Sequence, residues 1–278
     1  MPFPSLTSAG EHDIDVRLGV QDQDPVTASL PAPEGYPWLG PAVRSALLGE
    51  TGVVDLDPAD GVHTPTEQLE RPLVEVAAIE QALAAEGAAP LAARTLVLAV
   101  GSNQTPRTIA RKYHRSGRDV RRATPFVRCT VHGLAVGHVA NTAAPGYVPA
   151  APYRADGERL ELVASWFDEE QLAVVDATEP NYERLRLDAA EFPLALATGE
   201  RPAHVDVYAS LRGVLGQERP IPLRHRQQEL FDELVGLTGE QLLHGDAAEV
   251  CRVLAERPTA LRELAITHSL VLEDGLPR

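Results

Sequence analysis

The sequence has few cysteines, few aromatic residues, one lysine, and no long apolar run. Cys129 and Cys251 are too few for a disulfide framework or a four-ligand zinc site. They read as two buried thiols in a reducing, cytoplasmic setting. No stretch approaches the roughly 20 apolar residues that span a bilayer, so no membrane partner is expected. Met1 to Val20 lacks the basic start and apolar stretch of a secretory signal. There is no G-x-S-x-G elbow, no P-loop, no G-x-G-x-x-G and no H-E-x-x-H. No internal repeat is present. Lys112 is the single lysine, and every other basic side chain is arginine.

What is present is an ordinary soluble composition, 44% apolar and 23% charged, with a formal charge of −15. Such a surplus of carboxylates repels nucleic acid and anionic membranes, so a nucleic-acid partner is not expected. Against it stands a basic stretch at 107–128: Arg107, Arg111, Lys112, Arg115, Arg118, Arg121, Arg122 and Arg128, opposed only by Asp119. That stretch either pairs with acidic segments of the chain, the plainer expectation, or holds an anionic substrate tail. His132 and His138 share a strand face without a carboxylate or cysteine at ligand spacing. No metal and no cofactor are therefore expected.

The first 65 residues are rich in proline, which restricts them to short elements. Tyr36, Trp38 and Leu39 can pin this part to a folded surface. A largely helical stretch follows over 65–91, with Thr66 as N-cap and Leu73, Val76, Ile79 and Leu83 at helical spacing. Leu96 to Val100 reads as a buried strand ending in the polar turn Gly101-Ser102-Asn103. A helix carrying Ile109, Ala110 and Tyr113 comes next. Period-two alternation marks strands at Val127–Val139, Leu160–Trp166 and Val205–Leu211. Asp168 caps a short helix that ends at Glu179-Pro180. Leu230, Phe231, Leu234 and Val235 form the stripe of a later helix. Interleaved strands and helices with short strand links predict an α+β fold.

Two segments together resemble the γ-glutamylcyclotransferase family. Leu98-Ala99-Val100-Gly101-Ser102-Asn103 is similar to that family's Tyr-Gly-Ser-Asn loop, and Leu172 to Glu179, with Tyr182 shortly after, is similar to its acidic segment. Asn141 to Gly146 sits where the family has a small-residue loop, and Val207-Tyr208-Ala209 resembles its last strand. The likeness covers about half the chain, in order. It implies a small mixed β-sheet or barrel with surrounding helices over 93–235. Residues 1–92 would be a proline-rich N-terminal extension ending in a helix, and 236–278 a C-terminal helical tail.

The resemblance implies Glu179 as the catalytic residue, with Val100, Gly101, Ser102, Asn103, Asn141 and Tyr182 binding substrate. The reaction would be intramolecular aminolysis of a γ-glutamyl amide, giving 5-oxoproline and an amine. A free α-amine is largely protonated at neutral pH, so its attack needs a base. A carboxylate beside apolar walls, here Trp166 and Phe167, suits that task. The developing oxyanion needs fixed donors, which a turn of small residues supplies. Asp176 reads as structural and not as a second acid. One departure is Val100, which stands where the family has tyrosine; Tyr182, Tyr113 or Tyr147 can bring a hydroxyl from elsewhere. The alternative is a non-catalytic module binding an amino-acid-like ligand or a protein on the same fold, in which Glu179 is a solvated helix end and 101–103 a plain turn.

Overall fold

A computed structural model describes residues 31–40, 43–58, 66, 69 and 71–278. The Met1–Val20 stretch and most of the prolines noted above lie outside the described residues.

The chain first forms two short strands, β1 (Ala46–Leu48) and β2 (Val53–Asp55). Helix α1 (Val76–Ala85) follows, then strand β3 (Thr95–Ala99). A 3₁₀ turn at Gly101–Gln104 leads into α2 (Pro106–Ser116). Thr105 caps α2 by accepting the Thr108 N–H, and Pro106 stands where a missing N–H costs nothing. Two long strands, β4 (Thr124–His138) and β5 (Ala150–Phe167), form the centre. Asp168 and Gln171 then make a reciprocal capping box for α3 (Glu169–Ala177).

Strands β6 (Tyr182–Asp188), β7 (Leu194–Leu196), β8 (His204–Ser210) and β9 (Val214–Leu215) come next. Helices α4 (Gln227–Thr238), α5 (Ala247–Glu256) and α6 (Ala260–Thr267) precede the last strand, β10 (Val271–Leu272). The main sheet runs β2-β1-β4-β5-β3-β8-β6, with β7 on the far part of β4. The β3–β8 pair is parallel and its other pairs are antiparallel. The fold is therefore α+β with a mixed sheet. Strands β2 and β6 end the order unpaired with each other, so no barrel closes among the described residues.

Both faces of the sheet are covered. Ile109, Ala110 and Tyr113 of α2 and Leu172, Val174 and Val175 of α3 pack with Val97, Phe126 and Val163 on one face. Ile79 and Leu83 of α1 pack with Leu98, Val127 and Cys129 on the other. Helices α4 to α6 build a separate core with Ala140, Val148, Leu215 and Ile221.

The covering explains where patterning and structure differ. Alternation along β4 leads one to expect a solvated polar face, yet Arg128 and Thr130 are buried. Arg128 lies 3.8 Å from Glu161 and 4.0 Å from Asp57, and Thr130 donates to Glu161. The helix expected over 65–91 starts only at Val76. Thr66 does not cap it, because its hydroxyl and N–H go to Glu161 across the sheet. Strand β8 stops at Ser210, leaving Leu211 exposed with its N–H on the Asn181 carbonyl. Strand β6 was not expected, although Leu185 and Leu187 alternate inward along it.

Strand β1 pairs with β4, so part of 1–92 belongs to the central sheet. The 235/236 division falls inside α4, and β10 pairs with β9. Leu48 of β1 is 1% exposed and shares a cluster with Phe126 and Ile109. Leu48→Ala is expected to destabilise the whole domain by about 2–5 kcal/mol, read as a lower midpoint in denaturant unfolding. A midpoint matching wild type would show that β1 is only an appendage.

Candidate active site

Strand β3 lies between β5 and β8 and ends against the Gly101–Gln104 turn, with Val100 as the extended residue before it. Gly101 has φ +56°, which disfavours a side chain. A Cβ there would stand 2.3 Å from the Tyr36 hydroxyl and 2.8 Å from Ala150 Cβ. Only glycine fits. The turn is clamped from behind, since the Thr105 hydroxyl donates to the Ser102 carbonyl at 2.9 Å.

Glu179 reaches the same place from the other side. Helix α3 ends in a turn where the Glu179 N–H meets the Asp176 carbonyl and the Tyr182 N–H meets the Glu179 carbonyl. Pro180 follows and prevents the helix from continuing. Because α2 and α3 pack side by side on one face, the Glu179 carboxylate meets two side chains from the α2 region. Asn103 Nδ2 donates to its Oε1 at 2.9 Å, and Lys112 Nζ pairs with the same oxygen. The Glu179 side chain is only 13% exposed. Oε2 has no hydrogen-bond partner among the described residues, so one carboxylate oxygen is left for a ligand.

These groups line a cleft of about 920 Å³. Val100, Ser102, Asn103, Asn141, Glu179 and Tyr182 all border it, while Gly101 lies buried beneath. The Asn141 amide makes only a 3.4 Å contact with the Thr142 carbonyl. Trp166 and Phe167, expected as walls for Glu179, do not border the cleft, because β5 carries them to its far end. Tyrosines and a tryptophan take their place. Tyr182 donates to the Ala150 carbonyl at 2.8 Å, and the Ala150 N–H donates to the Tyr36 hydroxyl at 2.8 Å. The Tyr36 ring stacks on Tyr147 at 4.4 Å, and Trp38 packs edge-on against both.

Burial pushes the Tyr36 and Tyr182 phenols well above their ordinary range, with the nearby Glu179 charge acting in the same direction. Burial and Glu179 push Tyr147 up to about 12. Of the two other tyrosines considered as hydroxyl sources, Tyr147 is in the cleft. Tyr113 is not, being buried behind α2 with its hydroxyl on Thr124. Asp176 is structural, as it holds Arg184 and the Tyr208 hydroxyl and so anchors the end of α3.

The basic stretch divides. Arg121 donates to the Glu86 backbone carbonyl and the Arg122 backbone N–H donates to the Glu50 carboxylate, while Lys112 forms an ion pair with Glu179. Arg111 and Arg115, one turn apart on α2, line the cleft together with Arg118, which follows the helix. Arg115 and Arg118 have no ion-pair partner among the described residues. His138 is buried, and loss of hydration pulls it down to about 3. No group of three or more potential metal ligands occurs among the described residues, and no helix there is long and apolar enough to cross a membrane. Sequence reasoning missed Tyr36 and Trp38 as cleft residues. The signal was the aromatic cluster in the proline-rich segment, which indicated docking but not where.

All six tyrosines are shifted upward by burial. A raised folded-state pKa means that the neutral phenol stabilises the fold. That contribution is complete below about pH 10, the unfolded value, and is lost as pH climbs toward the folded value, about 12 for Tyr147. Tyrosinate absorbance of the folded protein should therefore rise only well above pH ~10, with unfolding free energy falling over the same range. Phenolate appearing with a midpoint near 10 in the folded state would contradict this burial.

No protein-family model matches the chain, and no curated protein matches it. Solved structures resemble it at low identity. An Arabidopsis thaliana protein solved in solution is 16% identical, with 42% of this chain and 62% of that chain covered and a TM-score of 0.32. The chain thus spans less than two thirds of that protein's length. A structure named gamma-glutamyl cyclotransferase is 11% identical over 66% of this chain and 92% of that one, with a TM-score of 0.36. An uncharacterized Homo sapiens protein is 13% identical over 67% and 93%, with a TM-score of 0.35. Likeness at this level assigns no activity, and the functional reading rests on the chemistry of the cleft.

Proposed function

We propose that the cleft cyclises a γ-glutamyl amide, releasing 5-oxoproline and an amine, with Glu179 as the proton shuttle. The observation that carries this reading is the position of Glu179. Its carboxylate is fixed on Oε1 by Asn103 and Lys112, opposite a glycine turn, with Oε2 left open. A base with one oxygen held and one free is prepared to take a proton in a defined direction.

The step begins with Oε2 accepting a proton from the α-ammonium. The freed nitrogen attacks the γ-carbonyl carbon, a C–N bond forms, and the carbonyl pair moves onto oxygen. That oxyanion is stabilised beside the Gly101–Asn103 turn, where donors are fixed before reaction. Glu179 passes that proton to the departing nitrogen as its C–N bond breaks, then takes the second proton of the attacking nitrogen, which leaves with the released amine as its ammonium. Lys112 keeps the carboxylate oriented throughout. Arg115 and Arg118 at the cleft mouth favour a leaving amine that carries a carboxylate, with each exposed contact contributing modestly. The substrate is thus a small γ-glutamyl or amino-acid-like compound, in the transferase and lyase class of acyl chemistry. Val100 favours the second reading, a ligand-binding module on the same scaffold, because it brings no hydroxyl to the turn.

The test is release of 5-oxoproline from γ-glutamyl amino acids and γ-glutamyl amines. Glu179→Gln, folded by its melting curve, should lose about 10²–10⁴-fold in kcat. Full turnover in that variant would remove Glu179 from the chemistry. Absence of turnover in well-folded wild type would favour the binding module.

A further inference from the structure

The N-terminal segment contributes more than a wall to the cleft. Its 3₁₀ turn, Pro33–Gly35, packs against α4 and α5 and delivers Tyr36 into the interior, 3% exposed. The Tyr36 oxygen touches the glycine turn so closely that a methyl group on Gly101 would overlap it. That oxygen accepts the Ala150 N–H at 2.8 Å. The hydroxyl proton, in contrast, has no acceptor among the described residues.

The other phenols of the cleft are arranged differently. Tyr182 spends its proton on the Ala150 carbonyl. Tyr147 stacks on the Tyr36 ring, but its oxygen is fixed by no bond among the described residues. Tyr36 is the phenol whose oxygen is anchored by a donated backbone hydrogen while its own hydrogen is unspent among the described residues. Hydrogen bonds accepted by a hydroxyl oxygen polarise its O–H and strengthen it as a donor. The Tyr36 oxygen lies over Gly101, so an oxyanion held beside the turn has this phenol within its surroundings.

We infer that Tyr36 is a catalytic residue of this site, whose O–H donates a hydrogen bond to the oxygen that becomes negative when the γ-carbonyl is attacked. This rests on the cyclisation reading above. No atom is transferred: the proton stays on Tyr36, and the bond strengthens as charge develops and relaxes as the tetrahedral centre collapses. The role falls to a residue 64 positions before Val100, from a segment that sequence patterning treats as accessory.

The experiment is steady-state kinetics of 5-oxoproline release from γ-glutamylglycine by the full chain and by Tyr36→Phe. The expected result is a loss of about 10²-fold in kcat with little change in KM, since the bond forms mainly as charge develops. Unchanged turnover would overturn the inference. Faster turnover would also overturn it, by showing that the phenol blocks the turn. If Tyr36→Phe fails to fold, 2,3-difluorotyrosine at position 36 keeps the hydroxyl and strengthens it as a donor. kcat should then differ from that of wild type at unchanged KM, and an unchanged kcat overturns the role. If wild type releases no 5-oxoproline, the cyclisation reading fails and this role falls with it, whereas turnover in wild type that is unchanged in Tyr36→Phe overturns the role alone.

Discussion

Ala150 opens β5 at a point where its peptide group is buried, and a buried peptide must find hydrogen-bond partners inside the protein. Its N–H is satisfied by Tyr36 and its carbonyl by Tyr182. Those partners come from the N-terminal segment and from the first residue of β6, so satisfying one peptide draws distant parts of the chain together. The converging rings then stack with Tyr147 and Trp38 and form the apolar side of the cleft. The close approach of Tyr36 to the next turn requires glycine at position 101. Leaving a buried donor without its acceptor costs about 1–3 kcal/mol, which is why this cluster holds together as a unit.

The polar side of the cleft depends on packing between helices. Asn103 and Lys112 meet Glu179 because α2 and α3 lie together over Phe126, Val97 and Val163. The end of α3 is fixed in turn by Asp176, which binds Arg184 of β6 and Tyr208 of β8. The ion pair of Lys112 with Glu179 is mostly shielded, at 15% and 13% side-chain exposure. Removing one partner of such a pair leaves a poorly solvated charge, so the pair contributes more to orientation than its net stability suggests. In a chain with 40 acidic and 25 basic residues, placing arginines along α2 at the cleft mouth gives a local field opposite to that of the whole protein.

Much of this was legible locally. Leu96 to Val100 running into Gly-Ser-Asn marked a buried strand ending in a turn, and β3 ends there. Asp168 marked the cap of α3, to which the structure adds Gln171 as reciprocal partner, and Pro180 marked its end. Other parts were hidden because their cause is nonlocal. Strands β1 and β2 are three residues each, too short for a period to register, and exist because β4 offers an edge. Arg128 and Thr130 look like solvent-facing residues, yet Asp57 and Glu161 make their burial tolerable. Trp166 and Phe167 are near Glu179 in sequence, but their strand carries them to the opposite end from the cleft.

The sequence by itself determined the α+β class, the Asp168 cap and the glycine turn, because each is written in neighbouring residues through dihedral preference and short-range hydrogen bonding. The pairing of that turn with an acidic helix end was implied by the family resemblance. Only the tertiary structure decided which aromatic residues face Glu179, that Lys112 is its ion partner, and that Tyr36 lies over Gly101. Those outcomes come from filling a cavity and satisfying buried polar groups, and both depend on residues brought together from across the chain.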